Sequence, residues 1–167
     1  MNDPIKNSKT SQHADATYEP LRTILERVQQ YHQRFRTGIQ HDGQCPDSSS
    51  KDYLLRWLAA TEKSEIELLE LITAESKSDI LDTWIQYVPD GECIERLESL
   101  KLRPEMSLDE VYESTMRFYQ SLSMFYTQLA QQVNAETVKE FLQRLVDRYE
   151  AHLRTQAWMM RDCDTAS

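Results

Sequence analysis

Apolar residues recur at intervals of three and four positions in four long segments of the chain, and polar residues fill the positions between them. This spacing gathers the apolar side chains on one face of an α-helix, because a helix has about 3.6 residues per turn. The first such stripe consists of Leu21, Ile24, Leu25, Val28, Tyr31, Phe35 and Ile39. The pattern predicts four amphipathic helices at about residues 18–40, 51–74, 107–133 and 135–161.

Turn-forming and helix-capping residues separate these segments. Residues 40–50 contain glycine, proline and three consecutive serines, which together favour a turn. Ser107 and Glu110 have the spacing of a capping box, in which each side chain binds a free backbone amide of the other residue. Asn134 can cap the fourth helix after a very short turn. The third and fourth helices are therefore expected to form an antiparallel hairpin.

The connection between the second and third helices, residues 75–106, has a different pattern. Two prolines and a glycine interrupt its helical periodicity, and two short amphipathic pieces fit between them, around residues 80–87 and 93–100. A connection of this length can run the full height of a helix bundle. We therefore predict an all-α fold, a four-helix bundle made of two antiparallel hairpins joined by a long, partly helical crossover.

The bundle is expected to form one domain at residues 17–162. Residues 1–16 are polar and lack periodic apolar positions, which predicts a disordered N-terminal arm. Residues 163–167 are expected to form a short tail.

Composition agrees with a helical class and excludes some partners. The chain of 167 residues has only three glycines and five prolines, so it has few turn residues. Its formal net charge of −9 disfavours nucleic acid and anionic membranes as partners. No apolar run reaches the ~18 residues that a membrane span requires, and the N-terminus lacks the apolar core of a secretory signal. Cys45, Cys93 and Cys163 are widely spaced, which favours reduced thiols and a cytoplasmic location.

Polar residues interrupt the apolar stripes at a few positions. Glu62 and Glu65 lie in the middle of the stripe of the second helix, and Tyr149 and His152 take similar places on the fourth. His32 lies on the stripe of the first helix. A buried carboxylate needs a cation or hydrogen-bond donors nearby, and oxygen and imidazole ligands on adjacent turns suit a divalent metal ion. These five residues are the predicted metal ligands, with iron or manganese as the expected metal if the site is retained.

The third helix contributes a row of aromatic and aliphatic residues to the same predicted interior. The row consists of Tyr112, Thr115, Tyr119, Leu122, Tyr126 and Leu129. Tyrosine can bury its ring while its hydroxyl finds a hydrogen-bond partner. The row therefore predicts a core-facing stripe.

The second and fourth helices contain the two segments Leu55-x-x-Leu58-Ala59-x-x-Glu62-x-x-Glu65 and Leu142-x-x-Leu145-Val146-x-x-Tyr149-x-x-His152. At these residues the chain resembles the ferritin-like superfamily and, within it, rubrerythrin-like bacterial proteins, whose motif is Leu-x-x-Leu-Ala-x-x-Glu-x-x-His. The resemblance covers about residues 18–161. It implies a bundle that binds two iron atoms through two Glu-x-x-His pairs and one further carboxylate from each of the other two helices, and that handles oxygen or peroxide or oxidises iron for storage.

The motif in this chain departs from that of the family. Glu62 matches the first glutamate and His152 the second histidine, whereas Glu65 replaces a histidine and Tyr149 replaces a glutamate. The first helix offers Gln29, Gln30 and His32 in place of a glutamate, and the third offers Met116 and Tyr119. The resemblance therefore implies a degenerate di-iron motif.

Each candidate residue also has a structural interpretation. A small rotation of the second helix would turn Glu62 and Glu65 towards solvent or towards an arginine such as Arg148. His152 and His32 could each be satisfied by a hydrogen bond to a neighbouring side chain instead of a metal.

Two hypotheses for function follow. The first is a non-enzymatic interaction or dimerisation module whose metal site has decayed, with no bound cofactor and with a homodimer or another, unidentified protein as partner. The second is a metalloprotein that keeps an altered iron or manganese site and handles oxygen or peroxide.

Overall fold

The computed structural model describes residues 15–40, 50–75 and 78–165, and these residues are mostly helical. The elements in chain order are β1 (Thr17–Pro20), α1 (Leu21–Gln40), α2 (Ser50–Glu75), α3 (Ser78–Leu81), β2 (Trp84–Tyr87), α4 (Gly91–Ser99), α5 (Leu108–Gln132) and α6 (Glu136–Thr165). Four of the helices are long, as predicted. None of the helices in these ranges is long and apolar enough to cross a membrane.

The four long helices pack in two antiparallel pairs. In the first pair, Arg22 near the start of α1 donates to the backbone carbonyl of Thr73 near the end of α2. In the second pair, α5 lies against α6, and the backbone carbonyl of Tyr112 accepts a hydrogen bond from Gln156. The short helix α4 packs on α5.

Local capping explains where several helices begin. Ser107 accepts a hydrogen bond from the backbone amide of Glu110, and Glu110 accepts one from the amide of Ser107, so the predicted capping box is confirmed. Asp90, which was not predicted as a cap, accepts from two amides at the start of α4. At α6 the carbonyl of Ala135 accepts the amide hydrogen of Lys139. Ala135 therefore holds the position before the first turn that was predicted for Asn134.

Two segments predicted as helical are strands. Residues 17–20 were predicted to begin the first helix, and residues 80–87 to form one short helical piece. Instead, Thr17–Pro20 and Trp84–Tyr87 pair as a two-stranded antiparallel sheet. Only residues 80–81 of the second segment are helical, as the end of α3. Proline is compatible with the end of an edge strand because its missing N–H is not needed there.

The predicted end of the fourth helix is also wrong. α6 continues to Thr165, so residues 163–165 belong to the helix and not to a tail. Residues 1–14 of the predicted arm at residues 1–16, the loop at residues 41–49 and residues 166–167 lie outside the described residues.

The apolar stripes of the helices form one core. Its largest buried side chains come from α1, α2, α5 and α6 and from the segments between them. Every residue of the predicted stripe on α1 is buried. The segment after α4 also reaches this core, where Leu102 is 2% exposed.

Gly38 allows that segment to approach α1 closely. A β-carbon at Gly38 would lie 1.8 Å from the backbone oxygen of Leu102, a distance far shorter than any normal contact. The close approach of these two backbones therefore depends on the missing side chain of Gly38.

Candidate functional site

The five predicted site residues meet in the interior between α1, α2 and α6. His32, Glu62 and Tyr149 are fully buried, and Glu65 is 1% exposed. The side chain of His152 is about one fifth exposed, at 19%. The position of these residues on the apolar stripes is the reason for their burial. The alternative prediction had the two glutamates turned towards solvent or towards an arginine such as Arg148. Exposure to solvent is wrong for both glutamates, whereas Glu65 does bind Arg148.

His32 bridges two buried side chains. Its Nδ1 lies 2.7 Å from Oε2 of Glu62, and its Nε2 lies 2.8 Å from the hydroxyl oxygen of Tyr149. An ionised carboxylate can only accept hydrogen bonds, whereas a phenol can donate one. We assign the protons from these partners: Nδ1–H donates to Glu62, and Nε2 accepts from the Tyr149 O–H. The assignment satisfies all three groups with a neutral imidazole.

The second oxygen of Glu62 is also occupied. The hydroxyl of Tyr119 on α5 donates to Oε1 of Glu62 at 2.7 Å. Burial raises the pKa of Tyr119 well above its ordinary value, and the negative charge of Glu62 and the hydrogen bond to it act in the same direction. Removing an ionised carboxylate from water costs several kcal/mol. Two short hydrogen bonds to its two oxygens offset part of this cost.

Glu65 has a different pair of partners. Nε of Arg148 and Nε2 of His152 each lie 2.7 Å from Oε1 of Glu65. Burial raises the pKa of Glu65, but the hydrogen bond to His152 and the charges of His152 and Arg148 outweigh burial and hold the pKa below its ordinary value. The side chain of Arg148 is about one third exposed, at 36%. The Glu65 end of the site thus reaches towards solvent, whereas the His32 end is dry.

Three buried tyrosines surround these hydrogen bonds. The ring of Tyr149 stacks on that of Tyr126, with centroids 5.7 Å apart and planes at 11°, and its centroid lies 6.2 Å from that of Tyr119. Burial raises the pKa of all three, and the nearby negative charge of Glu65 adds to the effect. The Tyr126 hydroxyl is buried and makes no normal hydrogen bond. We name this set of His32, Glu62, Glu65, Tyr119, Tyr126, Arg148, Tyr149 and His152 the polar network.

Sequence reasoning found most of the network and left three members out of the predicted site. Tyr119 and Tyr126 had been assigned to the core stripe of the third helix, and both are fully buried. Arg148 had been named only in the alternative interpretation, as a partner that the glutamates could reach, and it does bind Glu65. Its position four residues before His152, which places both side chains on one helix face, is the signal that could have identified it.

The network was also tested as a metal site. In the described ranges, no group of three or more histidine, cysteine, aspartate or glutamate side chains has an arrangement that could hold a metal ion. The candidate ligands bind one another: His32 binds Glu62, and His152 binds Glu65. Gln29, another of the three candidates on α1, donates to Glu70 on the exposed side of the helix pair.

Comparison with protein-family models, curated proteins and solved structures found no match to this chain.

Proposed function

We propose that this chain is a ferritin-like four-helix bundle in which the polar network takes the place of a metal centre, and that the bundle is a non-enzymatic interaction module. Four long helices in two antiparallel pairs support the bundle. The hydrogen-bonded groups around the two glutamates support the relationship to a metal centre. They include His32 from α1 and Tyr119 from α5, together with two pairs at three-residue spacing, Glu62 and Glu65 from α2 and Tyr149 and His152 from α6. This is the distribution of ligands in a di-iron bundle.

The contact of Arg148 with the buried Glu65 is the observation that most directly supports the proposal. A metal ion in such a bundle supplies positive charge to buried carboxylates. Here the guanidinium of Arg148 binds Glu65, while a phenol and an imidazole occupy both oxygens of Glu62. Protein groups thus provide the compensation that a metal would provide.

Metal analysis tests this proposal. Protein purified without chelator and without nickel affinity should contain less than about a tenth of an equivalent of iron or manganese. Its melting temperature should be the same with and without added chelator, because no bound ligand stabilises the folded state. Near-stoichiometric metal that is lost in a Glu62→Ala, His152→Ala double variant would contradict the proposal.

The side chains of the polar network also suggest a second candidate function, a metalloprotein with an altered iron or manganese site. His32 with Glu62 and His152 with Glu65 form two hydrogen-bonded pairs within the bundle, and with Tyr149 they offer oxygen and imidazole donors of the types that iron and manganese bind. In such a metalloprotein these residues would exchange their mutual hydrogen bonds for the metal, which would supply the chemistry for handling oxygen or peroxide. The positive result of the metal analysis would favour this function.

An exposed aromatic pair supports the interaction role. Tyr18 on β1 and Trp84 on β2 are 64% and 55% exposed, and their ring centroids lie 4.9 Å apart. Val88 beyond β2 is also exposed. Large exposed aromatic residues are typical of protein interfaces. In the described ranges the two strands pair only with each other, so each has an outer edge where a second copy of the chain could add a strand.

We infer from this sheet that the partner is a second copy of the chain. Light scattering coupled to size-exclusion chromatography should give the mass of a dimer, and Trp84→Lys should shift the protein towards monomer. Trp158→Lys is the matched control, because Trp158 is at least as exposed as Trp84, at 65%, but lies on α6. A monomeric wild-type protein, or equal dissociation in both variants, would contradict the role of the sheet.

A further inference from the structure

The driest part of the polar network is a line of three side chains. The Tyr149 hydroxyl, the His32 imidazole and the Glu62 carboxylate are joined by hydrogen bonds of 2.8 and 2.7 Å. All three residues are 0% exposed. A buried phenol therefore donates to a nitrogen that can accept its proton, and the other nitrogen of the same ring faces a carboxylate.

Simple ionisation of this phenol is strongly disfavoured. Burial raises the pKa of Tyr149 well above its ordinary value, and the neighbouring Tyr126, Glu65 and Glu62 raise it further. Loss of an electron changes the situation, because an oxidised phenol is a strong acid. If the proton leaves together with the electron, the ring never carries a charge in the dry interior.

We propose that Tyr149 is a redox-active tyrosine that yields one electron to a one-electron oxidant and its phenolic proton to His32, along an aromatic route from the protein surface. In this step the O–H bond of Tyr149 breaks and an N–H bond forms at Nε2 of His32. The oxidant gains one electron, and Tyr149 becomes a neutral phenoxyl radical. The new imidazolium stays next to the carboxylate of Glu62, which compensates its charge. An electron from a reductant such as a thiol, together with return of the proton, restores the phenol.

Glu62 determines which nitrogen of His32 is free to accept the proton of Tyr149. With Nδ1–H held by Glu62, the lone pair of Nε2 points at Tyr149, so His32 is ready to accept a proton. The carboxylate also stabilises the charged ring after transfer. Glu62 positions His32, His32 accepts the proton, and Tyr149 is the group that is oxidised.

Aromatic rings connect Tyr149 with the region of the sheet. The centroid of Tyr126 lies 5.7 Å from that of Tyr149, Phe125 follows at 5.7 Å, and Tyr87 on β2 follows at 6.4 Å. The Tyr87 hydroxyl donates to Oε1 of Glu19 at 2.7 Å. Two other tyrosines, one of them with a carboxylate beside its hydroxyl, thus lie between Tyr149 and an oxidant at the sheet.

The class of reaction partner follows from this geometry. No reactant can touch Tyr149 directly, because its side chain is fully buried. The partner must therefore be an outer-sphere, one-electron oxidant that reacts at the surface, such as a peroxyl radical, and not a substrate that binds at the network. The chain would accept a single oxidising equivalent and hold it away from solvent. This role requires neither a metal nor the proposed dimer.

The test uses the full-length chain and photogenerated ruthenium(III) tris-bipyridine as the oxidant. The phenoxyl radical is followed by its absorption and, in samples frozen at increasing delays, by electron paramagnetic resonance. The variants are Tyr149→Phe, Tyr126→Phe, Tyr119→Phe and His32→Gln. In the last of these, glutamine can accept a hydrogen bond but cannot hold the proton. Tyr112→Phe is the control, because Tyr112 lies on α5 and outside the network. Far-UV circular dichroism establishes that each variant is folded.

Wild type and Tyr112→Phe should retain a long-lived radical. The radical remaining at late delays should fall by about tenfold or more in Tyr149→Phe and in His32→Gln, as expected if one pathway is lost. In heavy water the wild-type radical should form more slowly, since the proton moves with the electron. A purely structural role for His32 would change neither the radical yield nor this isotope effect.

Two results would overturn the proposal. One is a late radical of equal size in Tyr149→Phe and in the control, which would place the radical on other tyrosines. The other is loss of the radical in Tyr119→Phe but not in Tyr149→Phe, which would assign it to Tyr119. If Tyr149→Phe does not fold, Tyr126→Phe decides, because it removes a hydroxyl that makes no normal hydrogen bond. A lower yield of the late radical in Tyr126→Phe supports the aromatic route to Tyr149, and an unchanged radical yield refutes it.

Discussion

Replacement of His32 by leucine should destabilise the protein strongly, although leucine is apolar and of similar size. The change leaves Oε2 of Glu62 and the hydroxyl of Tyr149 without their partner in a region that is 0% exposed. An unsatisfied buried hydroxyl costs about 1–3 kcal/mol, and a buried carboxylate that loses a hydrogen-bond partner costs more, because its charge is left less compensated. Glu62 keeps its bond to Tyr119, so we expect a total loss of about 3–5 kcal/mol.

A double-mutant cycle with Glu62→Leu tests this reasoning. When Glu62 is already replaced by leucine, the loss of His32 no longer leaves a buried carboxylate without one of its hydrogen-bond partners. The double variant should therefore be less destabilised than the sum of the single variants, by at least about 1.5 kcal/mol. Urea titrations followed by far-UV circular dichroism give the free energy of unfolding for all four proteins.

The matched control is a second pair on the same two helices. Gln29 on α1 donates to Glu70 on α2 at 3.0 Å, but this hydrogen bond is exposed. The cycle of Gln29→Ala and Glu70→Ala should give a coupling energy below about 0.5 kcal/mol. Coupling that small between His32 and Glu62 would refute the claim that the two residues form a buried bonded pair.

Three further predictions concern other parts of the fold. Gly38→Ala should lower the free energy of unfolding by about 1–3 kcal/mol, because its β-carbon would collide with the backbone of Leu102; Gly91→Ala, which meets no atom within 4 Å, should change it by less than about 0.5 kcal/mol. Ser107→Ala should cost about 1 kcal/mol in the same urea titration through loss of the α5 cap. The pKa of Glu65 is lower in the folded protein than its ordinary value of 4.5. The ionised carboxylate therefore stabilises the fold at pH values above about 4.5, and this stabilisation is lost as the pH falls through the folded-state pKa. Between about pH 6 and 3, the free energy of unfolding should therefore fall less in Glu65→Gln than in wild type.

The long helices could be predicted from sequence because their signals are local. A stripe with a spacing of three and four residues is read within one segment, and the capping box at Ser107 depends on residues three positions apart. The end of α6 was less predictable. Beyond Arg161 the chain has no proline or glycine to stop a helix, and an absent stop signal is weaker information than a stripe.

The sheet could not be predicted because its cause is not local. Each strand has only four residues, which is too short for period-two alternation to stand out from helical spacing. Pro20 is also a typical residue of a first helical turn, so residues 17–20 resemble a helix start. Pairing with Trp84–Tyr87 decides the conformation, and that partner is distant in the sequence.

For the polar network, sequence reasoning predicted which residues are buried and left their partners open. Position on a stripe is enough to place Glu62 and His32 inside. The choice between a metal and hydrogen bonds depends on how the four helices align along their axes, to within a few ångströms. Arg148 lies at the edge of its stripe, where a long side chain can point either to solvent or inwards.

The two-stranded sheet described above also constrains the order in which the protein folds. It joins Thr17–Pro20 to Trp84–Tyr87 and so encloses α1 and α2 in a closed loop of chain. Closing a loop of about 70 residues before any helix has formed costs roughly 4 kcal/mol in chain entropy, and four residue pairs cannot repay that cost. Once α1 and α2 have docked as a hairpin, the ends of the loop are already close. The sheet is therefore a late contact that joins the connection to the first helix pair after that pair exists, and it should be among the first contacts to open on unfolding.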